Sequence, residues 1–200
     1  MTEVDIDSMN TTKIWLKNYP EGIPAEIDSL GFEDLKDFLD KTLIHGGDRT
    51  AFISMDKKLS YKMLDVYSRD FGAYLHSIGL KSGDKIALMM PNIFQYPIAL
   101  FGAVRAGIIV VNTNPLYTPR EMKLQFQDSG VKAIVIADNF AANLQEIIKE
   151  TKIEHVVLTS IGEMLGAKGV IVNLVIKYIK KLVPSFQLTN TISFSKALKC

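Results

Sequence analysis

From about residue 50 onward the hydrophobic positions follow two alternating patterns. Continuous runs rich in Val, Ile and Leu at residues 51–55, 85–90, 108–112, 132–137 and 155–159 predict strands, and their apolar character predicts cover on both faces. Between them the apolar positions recur at helical spacing. Ser60 can cap a helix that places Tyr61, Leu64, Tyr67, Phe71, Leu75 and Ile78 on one face, with Gly79 as its left-handed stop. Asn92 precedes a second helix over 94–106, closed by Gly107. Thr118-Pro119-Arg120-Glu121 combines a capping box with proline at the first helical position, and Gly130 ends that helix. A fourth helix over 140–151 is expected to bury Phe140, Leu144, Ile147 and Ile148.

Strands alternating with helices across short loops predict an α/β fold, a mainly parallel, doubly wound sheet with flanking helices. Residues 12–49 read differently, with a short helix at 12–18, an extended stretch at 20–24 and an acidic helix at 33–44. The expected organisation is a mobile extension over 1–11, a helical and extended segment over 12–49, a βαβ core over 50–160, and a basic amphipathic helix with the chain's end over 161–200.

Composition narrows the function. With 48% hydrophobic and 22% charged residues the chain can bury a core, and a net charge of +1 argues against a nucleic-acid partner. Charge is unevenly spread, however. Residues 1–40 hold ten acids against three bases, and residues 162–200 hold six lysines and one acid, Glu163. The single cysteine, Cys200, allows no internal disulfide and no cysteine-based metal cluster. The acidic opening lacks the pattern of a secretory signal, and no apolar run is long enough to span a bilayer, so a cytoplasmic location is expected.

Chemistry is sparse. The chain carries no G-x-G-x-x-G after a strand, no G-x-x-x-x-G-K-[ST] and no G-x-S-x-G. The glycine-bearing stretch 162–169 has the wrong spacing for a phosphate cradle and reads as a flexible loop. His45, His76 and His155 lie far apart, which leaves no metal site. No catalytic, cofactor-binding or metal-binding residue is assigned.

Two segments stand out. In 87–122, Asn92, Asn112 and Asn114 sit at the carboxyl ends of two predicted strands, where open α/β sheets place ligands; the alternative is that they form turns. In 169–183, helical spacing puts Gly166, Gly169, Asn173, Lys177, Lys180 and Lys181 on one narrow stripe, with apolar residues over the rest. Such an arc is buried either in protein, with the lysines reaching outward, or in a lipid interface.

The segment 87–122, ALMMPNIFQYPIALFGAVRAGIIVVNTNPLYTPREM, resembles the early core of adenylate-forming enzymes, and in detail the bacterial long-chain fatty acid–CoA ligases. Trp15-Leu16-Lys17-Asn18-Tyr19-Pro20, Leu59-Ser60-Tyr61, Asp128-Ser129-Gly130, residues 173–184 and Ile192-Ser193-Phe194 match in the same order. The resemblance implies an incomplete N-terminal subdomain of that fold. It also implies a two-step reaction in which a long-chain fatty carboxylate attacks ATP to give an acyl-adenylate and pyrophosphate, and CoA then displaces AMP. Mg²⁺ would screen the phosphates. The family's Ser/Thr/Gly-rich phosphate loop, its aromatic-Thr-Glu element, its ribose-binding Asp and its C-terminal Lys are not among these 200 residues. The piece is therefore expected to be inactive by itself and to bind ATP, Mg²⁺ or CoA weakly at best, with the remainder of the ligase chain as its partner. Lys177, Lys180 and Lys181 are expected to favour peripheral contact with the inner membrane face. A standalone nucleotide- or acyl-binding module and a membrane-surface interaction domain are the competing expectations.

Overall fold

The computed structural model describes residues 13–26 and 31–199, so the extension expected over 1–11 lies outside the described residues. The chain divides into two units, 1–33 and 34–200. In the first, a 3-10 turn covers Ile14–Asn18 where a helix is expected. The stretch 20–24 is not extended. The Ile23 N–H donates to the Pro20 carbonyl at 3.2 Å, and Gly22, at φ 86°, turns the chain.

The second unit opens with α1 (Leu35–Gly46), whose N-terminus is capped by Asp34 accepting from the Asp37 N–H at 2.7 Å. Then come strands β1 (Thr50–Ser54) and β2 (Lys57–Ser60), which pair with each other antiparallel. This corrects the expectation that 51–55 joins the parallel sheet. Met55 and Asp56 both take positive φ, as a two-residue hairpin connection requires, and the returning strand uses up β1's pairing edge. Ile53 is 65% exposed, so β1 is not covered on both faces.

The remaining elements are α2 (Tyr61–Ser77), β3 (Lys85–Met89), α3 (Gln95–Arg105), β4 (Ile109–Asn112), α4 (Pro119–Ser129), β5 (Ala133–Ala137), α5 (Ala141–Ile147), β6 (His155–Thr159), α6 (Ala167–Leu174), β7 (Thr191–Ser193) and α7 (Phe194–Ala197). A wider π turn over Val175–Ile179 continues α6. Strands β3 to β7 form one parallel sheet in the order β4-β3-β5-β6-β7. Strands β2 and β7 are additions to the expected set.

Strand alternation decides the two layers. Ile86, Leu88, Val135 and Val157 face one core with Leu64, Phe71, Ile98 and Phe194 from α2, α3 and α7. Ala87, Met89, Ile134 and Ile136 face the other, with Met122 and Phe126 from α4 and Leu144 and Ile147 from α5. The sheet is therefore doubly wound, as expected. Its helix ends follow the local signals. Ser60 accepts from the Met63 N–H at 3.2 Å, and Gly107 and Gly130 sit at φ 70° and 68°. The fourth helix is shorter than 140–151, because 3-10 turns flank α5 on both sides.

Candidate functional site

From β3 the chain moves outward to β4 on one side, then crosses to β5 on the other. This reversal creates a switch point between the carboxyl ends of β3 and β5, the place where open α/β sheets of this order hold ligands. Polar side chains gather there and beside it. Gln95, buried at the start of α3, donates through Nε2 to Thr159 Oγ1 at 2.7 Å and to the Ser160 carbonyl at 3.0 Å. Thr159 Oγ1 in turn donates to Glu163 Oε2 at 2.7 Å, and Glu163 Oε1 accepts from the Ser195 N–H at 2.9 Å. This network ties the carboxyl ends of β6 and β7 to the start of α3. Asp138 follows β5, and burial pushes its carboxyl above the ordinary value, against the backbone N–H of Asn139 and the charge of Lys177. The neighbouring Asn139 Oδ1 is buried and finds no hydrogen-bond partner among the described residues.

The three asparagines do not converge on one point. Asn92 lines a cavity of about 400 Å³ with Phe52, Ile53, Phe94, Leu100 and Phe101, so its amide meets a largely apolar space. Asn112 Oδ1 accepts from Tyr96 Oη at 2.9 Å, and Tyr96 lines the same cavity as Asn92. Asn114 stands apart. Its Oδ1 accepts from the Leu116 N–H at 3.0 Å and shapes the loop into α4.

A second cavity, of about 370 Å³, is lined by Lys36, Arg69, His76 and Arg105. Lys36, Arg69 and Arg105 each already hold a carboxylate. Arg105, with its side chain 7% exposed, pairs with Asp40 at 2.6 Å and Asp65 at 2.5 Å; Lys36 pairs with Asp40 and Arg69 with Asp65, each at 2.8 Å. Burial works to raise the Asp40 carboxyl, but hydrogen bonds from Lys36 and Arg105 hold it below the ordinary value. The cluster sets three cations on two carboxylates and staples α1, α2 and α3 together.

The basic segment departs most from its expected form. Gly162 and Gly169 are both buried against one another, so 162–169 is a packed turn and not a loose loop. Asn173 Oδ1 accepts from the Gly162 N–H at 2.8 Å, and its Nδ2 donates to Ser160 Oγ at 2.8 Å. The stripe begun by Gly169 and Asn173 thus faces the protein. Lys177 and Lys180 are exposed beyond it, and Lys181, at φ 50°, lies outside the helix. Lys177 stands 5.6 Å from the ring centre of Tyr178.

Fold and sequence now place the chain. Residues 39–174 match the family model described as AMP-binding enzyme. The chain is 49% identical over 188 residues to a long-chain-fatty-acid–CoA ligase of Escherichia coli O6:H1, covering 93% of this chain and 34% of that protein. A ligase of the same description from Yersinia pestis is 50% identical over 94% of the chain, again with 34% of its own length covered, and one from Bacillus subtilis is 32% identical over 78%. An anthranilate CoA ligase solved with anthranoyl-AMP superposes with a TM-score of 0.67 at 17% identity, over 84% of this chain and 28% of that one. A luciferase-like enzyme from Zophobas morio gives 0.67 at 16% identity, over 86% and 36%. These two show a shared fold. The chain belongs to the AMP-binding enzyme family. It matches the N-terminal part of the long-chain-fatty-acid–CoA ligases and spans about a third (34%) of their length.

The residues in hand do not fit ATP with Mg²⁺. Among the described residues no group of three or more His, Cys, Asp or Glu side chains could hold a metal ion. The cavity between β1 and α3 is walled by aromatic and aliphatic side chains, which cannot replace the hydration of a triphosphate.

Proposed function

We propose that the full-length protein carrying this chain converts a long-chain fatty acid to its CoA thioester through an acyl-adenylate, using ATP, Mg²⁺ and CoA. The observation that carries this reading is identity of 49% and 50% to ligases of that description across 93% and 94% of the chain. A carboxylate is a poor acyl donor until its oxygen becomes a good leaving group, which adenylation supplies. In this reading the chain's role is that of a scaffold. The paired Gln95, Thr159 and Glu163 fix the carboxyl edge of the sheet, and the remainder of the polypeptide brings the groups that hold phosphate.

The reading places the protein in the cytoplasm, with its substrate arriving from a membrane. Among the described residues no helix is long and apolar enough to cross one. The test is fatty-acid-dependent pyrophosphate release by the full-length protein, run as a chain-length series with CoA present or absent. Turnover that needs a long-chain acid supports the proposal, and turnover confined to short or aromatic acids overturns the substrate class. The 200-residue piece alone should release no pyrophosphate. Sustained turnover by it would mean that the phosphate-holding groups lie within these residues after all.

A further inference from the structure

Residues 164–200 contain six lysines and no Asp or Glu. Within this segment α6 and its π turn are held to the protein from one side only. A Cβ at Gly169 would lie 1.8 Å from the Gly162 carbonyl oxygen, so the helix axis can approach this closely only because both residues are glycine. Asn173, one turn on, fastens the same side through its amide. The opposite side carries large apolar residues into solvent. Ile171 and Tyr178 are each 64% exposed and Ile179 75%, and Val170, Leu174 and Leu182 are more than half exposed. Scattered exposed apolar residues are normal, but a contiguous set on one helical element marks an interaction surface.

Charge decides between the possible covers. Burial under further polypeptide would strip water from Lys180 and Lys181, for which residues 164–200 offer no carboxylate, and an unmatched buried ammonium is costly. An anionic lipid surface asks for no such sacrifice. Apolar side chains enter the boundary between headgroups and acyl chains by roughly 5–10 Å, and lysines beside them keep their ammonium groups among the lipid phosphates. We infer that the outward face of residues 170–182 is a docking surface for an anionic membrane, with Ile171, Leu174, Tyr178 and Ile179 entering the interface and Lys180 and Lys181 supplying the attraction. Gly169 and Asn173 hold this face outward. The helix is thus a short interfacial element on a rigid support. Its purpose rests on the proposed fatty-acid substrate, which partitions into membranes; its geometry does not.

The experiment is co-sedimentation of the full-length protein with vesicles of phosphatidylglycerol and phosphatidylcholine, or of phosphatidylcholine alone, at low and high salt. The wild type should favour the anionic vesicles and lose that preference as salt rises. Lys180→Glu with Lys181→Glu should lower anionic partitioning at least about tenfold, since each lysine near such a surface contributes roughly a factor of five. Ile171→Ser with Leu174→Ser should lower partitioning on both vesicle types while leaving the fold intact, because both side chains are exposed. Absence of wild-type binding, or equal binding by all three proteins, would overturn the inference. So would resistance of a Leu174→Cys variant to an aqueous maleimide without vesicles, which would mean that the remaining polypeptide covers this face. Pyrophosphate release, measured with a soluble medium-chain acid, is scored separately. Binding without activity would refute the ligase reading alone, and activity without binding this inference alone.

Discussion

Helix α4 reaches the sheet through Met122 and Phe126, both fully buried, and its first turn is closed by a reciprocal cap. Thr118 Oγ1 accepts from the Glu121 N–H at 3.4 Å, and Glu121 Oε2 accepts from the Thr118 N–H at 2.8 Å. Helix α6 reaches its support through Gly169 and Asn173, has no side-chain cap, and turns Ile171 and Leu174 to solvent. In α4 the apolar face is the attachment and the polar face is the surface. In α6 the attachment is made where side-chain bulk is missing, which leaves the apolar face available for something else. An amphipathic pattern reports where hydrophobic surface lies, and the packing alone decides which way it points.

The largest effect that separates the two helices is expected at Phe126. Phe126→Ala opens a cavity among Ala87, Ile134 and Ile136 and should cost roughly 4 kcal/mol. Hydrogen exchange in the full-length protein would register this as faster exchange throughout β3 and β5, since the loss lies in the shared core. Protection unchanged in those strands would mean that α4 is not what covers this face.

Gly169→Ala should come next, at about 2 kcal/mol. One added methyl meets Gly162 O, and the helix must move away to admit it. Here faster exchange should be confined to α6 and its π turn. If the variant matches wild type, the glycine contact is not the attachment.

These two helices also account for what could be read in advance. Thr118, Pro119, Glu121 and Gly130 act within a few residues of one another, so their spacing states the whole interaction and the sequence reveals it. Strands β3, β5 and β6 are legible for a similar reason, because burial on both faces demands an unbroken apolar run. The strand β2, Lys-Lys-Leu-Ser, carries no such run and is recognised only through its pairing with β1. Strand β7 is three residues long and depends on β6 for its existence. The Gly162–Gly169 contact leaves no hydrophobic signal at all. Gln95 and Thr159 stand 64 residues apart and meet only once α3 and β6 share an edge. At the candidate site the sequence offers Asn92, Asn112 and Asn114 at the carboxyl ends of strands, and nothing in its spacing points to Asp138, Gln95 or Glu163.

A smaller effect is expected at the cap. Thr118→Ala should cost about 1 kcal/mol, seen as faster exchange in the first turn of α4. Its pH dependence has a definite sign. Hydrogen bonds from the Thr118 backbone N–H, and then its hydroxyl, lower the Glu121 carboxyl below its ordinary value. A depressed carboxylate contributes stability above its unfolded value, 4.5, and loses it as pH falls through the folded one. The gap between wild type and variant should therefore be full at neutral pH and narrow below 4.5. A constant gap would mean that the Thr118 hydroxyl does not hold the Glu121 carboxylate.

The smallest effect is the one that most sharpens the contrast. Leu174→Ser removes a large apolar side chain from the middle of a helix, a change that in α4 would cost several kcal/mol. At 51% exposure, and on the side of α6 away from Gly169, it should shift stability by no more than about 0.5 kcal/mol. A core leucine gives up both its removal from water and its packing partners, and a cavity is left behind. Leu174 keeps about half its surface in water, and its absence opens a surface notch that solvent fills. Exchange in α6 should match wild type without vesicles. A loss of 2 kcal/mol or more would place Leu174 in a core supplied by the rest of the polypeptide, and α6 would then be attached as α4 is.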